Sequence, residues 1–124
     1  MPDGASPRRW VLVVDDDLDT RATTADALGD RYHVVTAATV AEALACVAAD
    51  PPAAIVLDLK LAGESGWDLM RALQEDAALR TVPIVILSAT PATEPPAGVG
   101  AWAAYLTKPC PMGRLREVLA AIVT

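Results

Sequence analysis

The amino-acid sequence predicts an α/β domain built on a doubly wound, five-stranded parallel sheet with the strand order 2-1-3-4-5. Three observations lead to this fold class. Short β-branched runs alternate with helix-period segments, most of the runs are continuously apolar, and 124 residues suit a single domain. Because strands that alternate with helices are joined by right-handed crossovers, the strands lie parallel with helices on both faces of the sheet.

Five short runs are the predicted strands, and most of them are apolar at nearly every position. This pattern is typical of strands that are buried on both faces of a parallel sheet. The runs are Val11–Val14, His33–Thr36, Ala54–Leu57, Ile84–Leu87 and Ala104–Thr107.

Helices are predicted in four of the intervening or following segments. Thr39 and Glu42 have the spacing of a capping box that opens the second helix, which must end before Pro51. The other three are predicted from apolar residues spaced three and four apart. These residues are Leu18, Ala22, Ala25 and Leu28 before Gly29 in the first helix, Leu69, Met70 and Leu73 in the third, and Met112, Leu115, Leu119 and Ile122 in the last.

The crossover between the fourth and fifth strands breaks this rhythm. Residues 88–102 contain three prolines after Thr90 and two glycines, Gly98 and Gly100. A proline costs ~3 kcal/mol and a glycine ~1 kcal/mol in a helix interior. We therefore predict that this crossover is mostly loop, with a shortened or irregular fourth helix.

Composition excludes several classes of function. A net charge of -6 and a pI near 4.5 argue against a nucleic-acid partner, which would require clustered Lys and Arg. No apolar run is long enough to cross a bilayer, so we expect a cytoplasmic protein without a membrane partner. Cys46 and Cys110 lack metal-site spacing and are predicted to be buried free thiols.

Polar residues follow four of the predicted strands. Asp15 and Asp16 follow the first strand, Asp58 follows the third, Ser88 the fourth and Lys108 the fifth. Ligands of such folds bind at the carboxyl ends of the strands, where the strand order reverses, so these groups should converge. Clustered carboxylates of this kind suit a hard divalent cation such as Mg²⁺.

The run of Asp15, Asp16 and Asp17 also needs an explanation, because like charges repel by roughly 3 kcal/mol at ~5 Å and an effective dielectric of ~20. A cation and Lys108 would offset this repulsion, and Asp17 is predicted to cap the first helix instead. With a metal and Lys108 nearby, one carboxylate could attack phosphorus and form an acyl phosphate. Ser88 could then hydrogen-bond a phosphoryl oxygen.

The motifs, in this order, resemble those of the receiver domains of two-component response regulators, whose fold is flavodoxin-like. The resemblance covers nearly the whole chain from Trp10 and divides it into a tail over residues 1–9 and a receiver domain over residues 10–124. The matching pieces are Val14-Asp15-Asp16, Leu57-Asp58-Leu59 with Gly63 and Gly66, Leu87-Ser88-Ala89, and Tyr105-Leu106-Thr107-Lys108-Pro109.

The resemblance implies that Asp58 accepts a phosphoryl group from a histidine kinase or a histidine phosphotransfer protein, and that an unknown downstream protein reads the result. It implies a signalling module rather than an enzyme. Mg²⁺ would be held by Asp16, Asp58 and the backbone carbonyl of Lys60, with Asp15 acting mostly through water.

The resemblance also implies that Lys108 pairs with the phosphoryl group and that the bond to Pro109 is cis. Ser88 and Tyr105 would form a conformational switch. Two departures matter. Ser88 and Lys108 are 20 positions apart, about two fewer than in members with a full fourth helix, and Trp102 takes a place that is often polar. The surface that commonly binds targets is therefore altered.

Two other functions fit parts of the pattern. A haloacid-dehalogenase-like phosphatase would use Asp15 as nucleophile and Asp17 as general acid, but it leaves Asp58 without a role. A receiver-like module could also act by docking without phosphorylation. A separate hypothesis concerns Lys60, whose charge two residues after Asp58 would slow attack of water on a phosphorylated Asp58.

Overall fold

A computed structural model describes residues 9–91 and 96–123 of the chain. In chain order the elements are β1 (Trp10–Val14), α1 (Leu18–Leu28), β2 (His33–Ala37), α2 (Val40–Val47), β3 (Ala54–Leu57), β4 (Lys60–Leu61), β5 (Glu64–Ser65), α3 (Gly66–Gln74), β6 (Ile84–Ser88), β7 (Ala104–Thr107) and α4 (Met112–Ile122). The main sheet has the order β2-β1-β3-β6-β7, and every neighbouring pair is parallel. The predicted five-stranded, doubly wound fold is confirmed.

The sheet separates two apolar layers. Odd and even residues of β1 point to opposite faces, so Val11 and Val13 pack with α1 and α4, whereas Leu12 and Val14 pack with α2 and α3. β1, β3 and β6 are buried on both faces except at Trp10, while the edge strands β2 and β7 are partly exposed. Burial of each large aliphatic side chain contributes ~1.5–3 kcal/mol, so the three central strands form a rigid support for whatever follows them.

The predicted apolar face of α1 is wrong in part. Leu18 is 66% exposed and Ala22 is exposed, while Thr24 and Leu28 form the buried side of the helix. The predicted pattern contained only two large apolar residues, because alanine contributes little apolar area. The face of α1 that packs against the sheet therefore differs from the one that the spacing of apolar residues indicated.

Side chains cap the helices on the other face of the sheet. The Thr39 hydroxyl accepts a hydrogen bond from the Glu42 amide at 3.1 Å, as the predicted capping box requires. The Glu42 carboxylate, however, accepts from the Ala38 amide at 2.8 Å, one residue before the cap. Sequence analysis did not predict the short β4–β5 hairpin, which leads directly into the Ser65 cap of α3.

The crossover from β6 to β7 contains no helix in its described residues, 89–91 and 96–103. Its remaining four residues lie outside the described part of the chain. Gly98 and Gly100 adopt φ values of 81° and 82°, a left-handed conformation that few other residues tolerate. The prediction of a mostly irregular crossover agrees with the described residues.

The prediction that both cysteines are buried is wrong. Cys46 and Cys110 are free thiols, but each is only half-buried. Cys46 lines a shallow cleft beside Trp10 and Val35, and Cys110 lies in the loop before α4, where its thiol contacts the Pro111 carbonyl at 3.5 Å. Within the described ranges, no helix has the length and apolar character to span a membrane.

We predict that Gly66→Ala destabilises the domain by about 1–3 kcal/mol, because a β-carbon there would lie 2.6 Å from the Asp58 carbonyl oxygen and 2.9 Å from the Leu59 α-carbon. Gly113→Ala is the matched control, since nothing lies within 4 Å of a β-carbon there and helix propensity should add up to about 1 kcal/mol. Urea unfolding measures both. Equal stabilisation by the two substitutions would contradict this close packing of α3 against the backbone that follows β3.

Candidate functional site

The sheet brings four of the predicted site residues to one edge. The β1–β3 pairing continues one residue past Val14, where the Asp58 amide donates to the Val14 carbonyl at 2.9 Å. The β6–β7 pairing continues in the same way, because the Lys108 amide donates to the Ser88 carbonyl at 2.8 Å. These backbone bonds fix the positions from which the side chains project.

Asp15 is almost fully buried, at 4% exposure, and its backbone amide donates to the Ala37 carbonyl at 3.1 Å. One carboxylate oxygen accepts from the Asp17 amide at 2.9 Å and the other from the Lys108 ammonium at 3.0 Å. Its backbone carbonyl accepts from the Arg21 guanidinium at 2.9 Å. Both oxygens of this carboxylate are thus already engaged by the protein.

Asp58 is 8% exposed and shares the same ammonium. Its Oδ2 accepts from Lys108 Nζ at 3.1 Å, and its Oδ1 accepts from the Lys60 amide at 3.2 Å. Lys108 therefore bridges two buried carboxylates. Desolvation opposes its charge, but the hydrogen bonds and negative charges of Asp15 and Asp58 outweigh that effect and raise the pKa of Lys108 above its ordinary value of 10.5.

The three carboxylates among the predicted metal ligands do converge. Asp15, Asp16 and Asp58 each place a carboxylate oxygen within 4.8 Å of the others, with Asp16 exposed and its two partners buried. An open cleft of about 400 Å³ adjoins them, lined by Asp16, Asp58, Lys60, Leu61, Ala62, Gly63, Ser88, Ala89 and Thr90. Hard oxygen donors at the mouth of a cleft fit a hard divalent cation that keeps part of its water, as Mg²⁺ does.

Asp17 is separate from this cluster. Its carboxylate accepts from the Thr20 amide at 3.0 Å and from the Thr20 hydroxyl, so it caps α1 as predicted. These hydrogen bonds, with a smaller contribution from the charges of Lys108 and Arg21, lower the pKa of Asp17. The acidic run is thus divided between the site and the helix.

Ser88 and Tyr105 are connected through one residue that sequence analysis did not single out. Ser88 is fully buried and its hydroxyl accepts from the Thr90 amide at 3.2 Å. The Tyr105 hydroxyl donates to the Thr90 carbonyl at 2.6 Å. Burial, and secondarily the charge of Asp58, raise the pKa of Tyr105. The two residues predicted to switch together are therefore hydrogen-bonded to the amide and the carbonyl of the same residue, Thr90.

Arg21 was also missed. It is the only basic residue between Trp10 and Leu28, and it lies in the first turns of the helix that follows two site carboxylates. That placement was the available signal. The remaining implied feature is a backbone one: the peptide bond between Lys108 and Pro109 is cis.

A larger cleft of about 790 Å³ lies at the opposite end of the sheet, where β1 and β2 begin. It is lined by Trp10, Ala25, Asp26, Gly29, Tyr32, His33, Val34 and Asp50. Its two carboxylates are not part of a cluster that could hold a metal, as far as the described residues show. Size alone therefore does not identify the chemically equipped site.

A family model described as the response regulator receiver domain matches residues 11–120. The chain belongs to this family.

Individual relatives agree with the family. The transcriptional regulatory protein KdpE of Mycobacterium tuberculosis is 36% identical over 116 residues, which cover 91% of this chain and 50% of KdpE. The chain spans about half or less of the length of the curated relatives it matches. Among solved structures, the chemotaxis protein CheY4 of Vibrio cholerae is 28% identical, with a TM-score of 0.84 and coverage of 93% of this chain and 98% of CheY4.

A third similar protein has been solved with a metal ion. The receiver domain of the sensor histidine kinase PA1611 from Pseudomonas aeruginosa shares the fold, with a TM-score of 0.84, 23% identity and coverage of 94% of this chain and 98% of its own. In the structure of that protein a magnesium ion is coordinated in the active site cleft.

We predict that Lys108 stabilises the fold in a pH-dependent way. Because its pKa is higher in the folded state than the ordinary 10.5, its contribution is complete below the unfolded pKa and is lost as the pH rises through the folded pKa. The difference in unfolding free energy between the wild type and Lys108→Met should be constant from about pH 7 to 9 and should change only above about pH 10. Urea titrations across this range measure it.

Lys60→Met is the matched control, since Lys60 is exposed and has no ion pair within the described ranges. A difference for Lys108→Met that changes mainly below pH 9, or one no larger than in the control, would contradict the bridging role.

Proposed function

We propose that this domain accepts a phosphoryl group on Asp58 from a histidine kinase or a histidine phosphotransfer protein. The observation that carries the proposal is the shared ammonium: Lys108 contacts the Asp58 carboxylate at 3.1 Å beside an open cleft that Asp58 itself lines. Asp58 is thus both reachable from solvent and next to a fixed positive charge.

The chemistry follows from these groups. An oxygen of the Asp58 carboxylate attacks phosphorus, the bond from phosphorus to the donor imidazole nitrogen breaks, and its electron pair stays on that nitrogen. Lys108, already poised between two carboxylates, donates to a phosphoryl oxygen and neutralises part of its charge. The Ser88 hydroxyl, which lines the cleft, donates to another phosphoryl oxygen.

Asp15, Asp16, Asp58 and the backbone carbonyl of Lys60 would hold Mg²⁺. When bound, this ion supplies charge neutralisation at the phosphoryl oxygens. The support for this cofactor is the convergence of three carboxylates within 4.8 Å.

The phosphatase alternative has less support. Its nucleophile would be Asp15, which does not line the cleft, whereas Asp58 does. Its general acid, Asp17, is committed to the Thr20 cap. We therefore infer a cytoplasmic signalling domain that is phosphorylated by a partner and read by a downstream protein, rather than an enzyme with a substrate of its own.

We predict that acetyl phosphate with Mg²⁺ adds one phosphoryl group to the wild type and none to Asp58→Asn, because the amide is a poor nucleophile. Chelation of the metal should prevent the reaction. Intact-protein mass spectrometry measures the added group, and hydroxylamine sensitivity identifies an acyl phosphate.

Asp15→Asn is the matched control for loss of one carboxylate from the same cluster, and it should retain slow phosphorylation. Phosphate that persists in Asp58→Asn and disappears in Asp15→Asn would favour the phosphatase alternative. Unphosphorylated wild type after exposure to small donors and to histidine kinases would favour docking without phosphorylation.

We predict that Lys60→Ala speeds dephosphorylation by up to about tenfold, equivalent to ~1.4 kcal/mol of barrier. Lys60 lines the cleft beside Asp58, so its side chain restricts the approach of water to the phosphoryl group. Lys60→Met retains the bulk without the charge and separates shielding from electrostatics. Loss of the phosphoryl group at the wild-type rate in Lys60→Ala would remove this role.

A further inference from the structure

Three aromatic side chains form a continuous contact on the α3 side of the sheet. The ring of Trp102, in the crossover, lies 5.7 Å from the ring of Trp67 and 5.7 Å from the ring of Tyr105, measured between centroids. The Trp102–Tyr105 pair is edge-to-face, a favoured geometry for aromatic rings. We call these residues the aromatic trio; Trp102 is its middle member.

One end of the trio reaches the proposed acceptor site. Tyr105 donates to the Thr90 carbonyl at 2.6 Å, and the Thr90 amide donates to the Ser88 hydroxyl at 3.2 Å. If the Ser88 hydroxyl oxygen moves toward a phosphoryl group, its hydrogen bond from the Thr90 amide lengthens or breaks. Any resulting displacement of Thr90 acts directly on the hydroxyl of Tyr105.

The other end reaches α3. Trp67 is the second residue of that helix, and its amide donates to the Ser65 cap at 3.2 Å. Trp102 lies in a crossover segment that packs on the same helix at two further points. Arg71 donates to the Ala97 carbonyl at 3.2 Å, and Gly100 lies so close to Gln74 that a β-carbon would overlap its side chain.

These contacts join the crossover directly to α3. In its described residues the crossover has no helix of its own and lies against α3 instead. A displacement of the Tyr105 ring would therefore act on the ring of Trp102, which is in turn in contact with the ring of Trp67.

We propose that Trp102 is a positioning residue that couples Tyr105 to α3 through Trp67, so that phosphorylation changes the surroundings of the start of α3. This inference rests on the proposed function, because it takes phosphorylation of Asp58 as the input. It assigns the response to α3 and to the crossover that packs on it.

The test uses Trp67 as the only indole. Trp10, at the far end of β1, is replaced in every variant by Trp10→Phe. Trp102→Phe keeps a ring between Tyr105 and Trp67, whereas Trp102→Ala removes it. We expect acetyl phosphate with Mg²⁺ to change Trp67 fluorescence in the Trp102→Phe protein and to leave it unchanged in the Trp102→Ala protein.

Phosphate incorporation, followed by mass spectrometry, should be the same in both proteins, because Trp102 is not part of the acceptor site. Equal fluorescence responses in the two proteins would overturn the proposal, since the signal would then bypass Trp102. The absence of a response in the Trp102→Phe protein, despite full phosphorylation, would also overturn it. Absence of phosphate in both proteins would count against the proposed function instead.

A second measurement needs no phosphate. Tyr105→Leu removes the ring that contacts Trp102, and the indole N–H resonance of Trp67 reports the effect. We expect the resonance to shift when residue 102 is aromatic, as in Trp102→Phe, and to stay in place in Trp102→Ala. A shift of the same size in both backgrounds would show that Tyr105 reaches α3 without Trp102, and it would overturn the coupling even in a protein that is never phosphorylated.

Discussion

The site depends on one ammonium group placed between two buried carboxylates. Lys108 lies 3.0 Å from Asp15 and 3.1 Å from Asp58, and without that charge the two carboxylates would face each other in a region of low dielectric. Replacing one partner of such a buried group leaves an uncompensated charge, which is costly. The ammonium holds the two carboxylates together and, in the proposed reaction, would neutralise part of the charge of the phosphoryl group that Asp58 accepts.

The sheet makes this arrangement possible. Lys108 comes from the edge strand β7, whereas Asp15 and Asp58 follow β1 and β3 in the middle. A long, flexible side chain is needed to reach across the intervening strand β6, and lysine has one. The backbone of Asp58 is in turn held in place by α3, which begins at Gly66 in close contact with it. Helix packing and site geometry therefore constrain each other.

Sequence analysis predicted the strand order and the five strands well, because a parallel strand that is buried on both faces is apolar at nearly every position. It also predicted which residues share the site, since the carboxyl ends of parallel strands meet at one edge. It placed the buried face of α1 incorrectly in part, because alanines carry too little apolar area to define a face. Thr90 was missed because it takes part through its backbone amide and carbonyl. Arg21 was missed because its guanidinium reaches back six residues. Neither contact leaves a periodic pattern in the sequence. The trio of Trp67, Trp102 and Tyr105 depends on a crossover that propensity could describe only as irregular.

The crossover has a consequence for which partner proteins could bind this domain. A partner protein shaped to bind a helix between β6 and β7 would meet, in the described residues 89–91 and 96–103, a segment without a helix that contains Trp102 and packs on α3. The groove of such a partner would receive no helix from this segment, and the partner's polar groups would face the indole ring of Trp102. The segment therefore disfavours binding of partners that recognise a helix at this position.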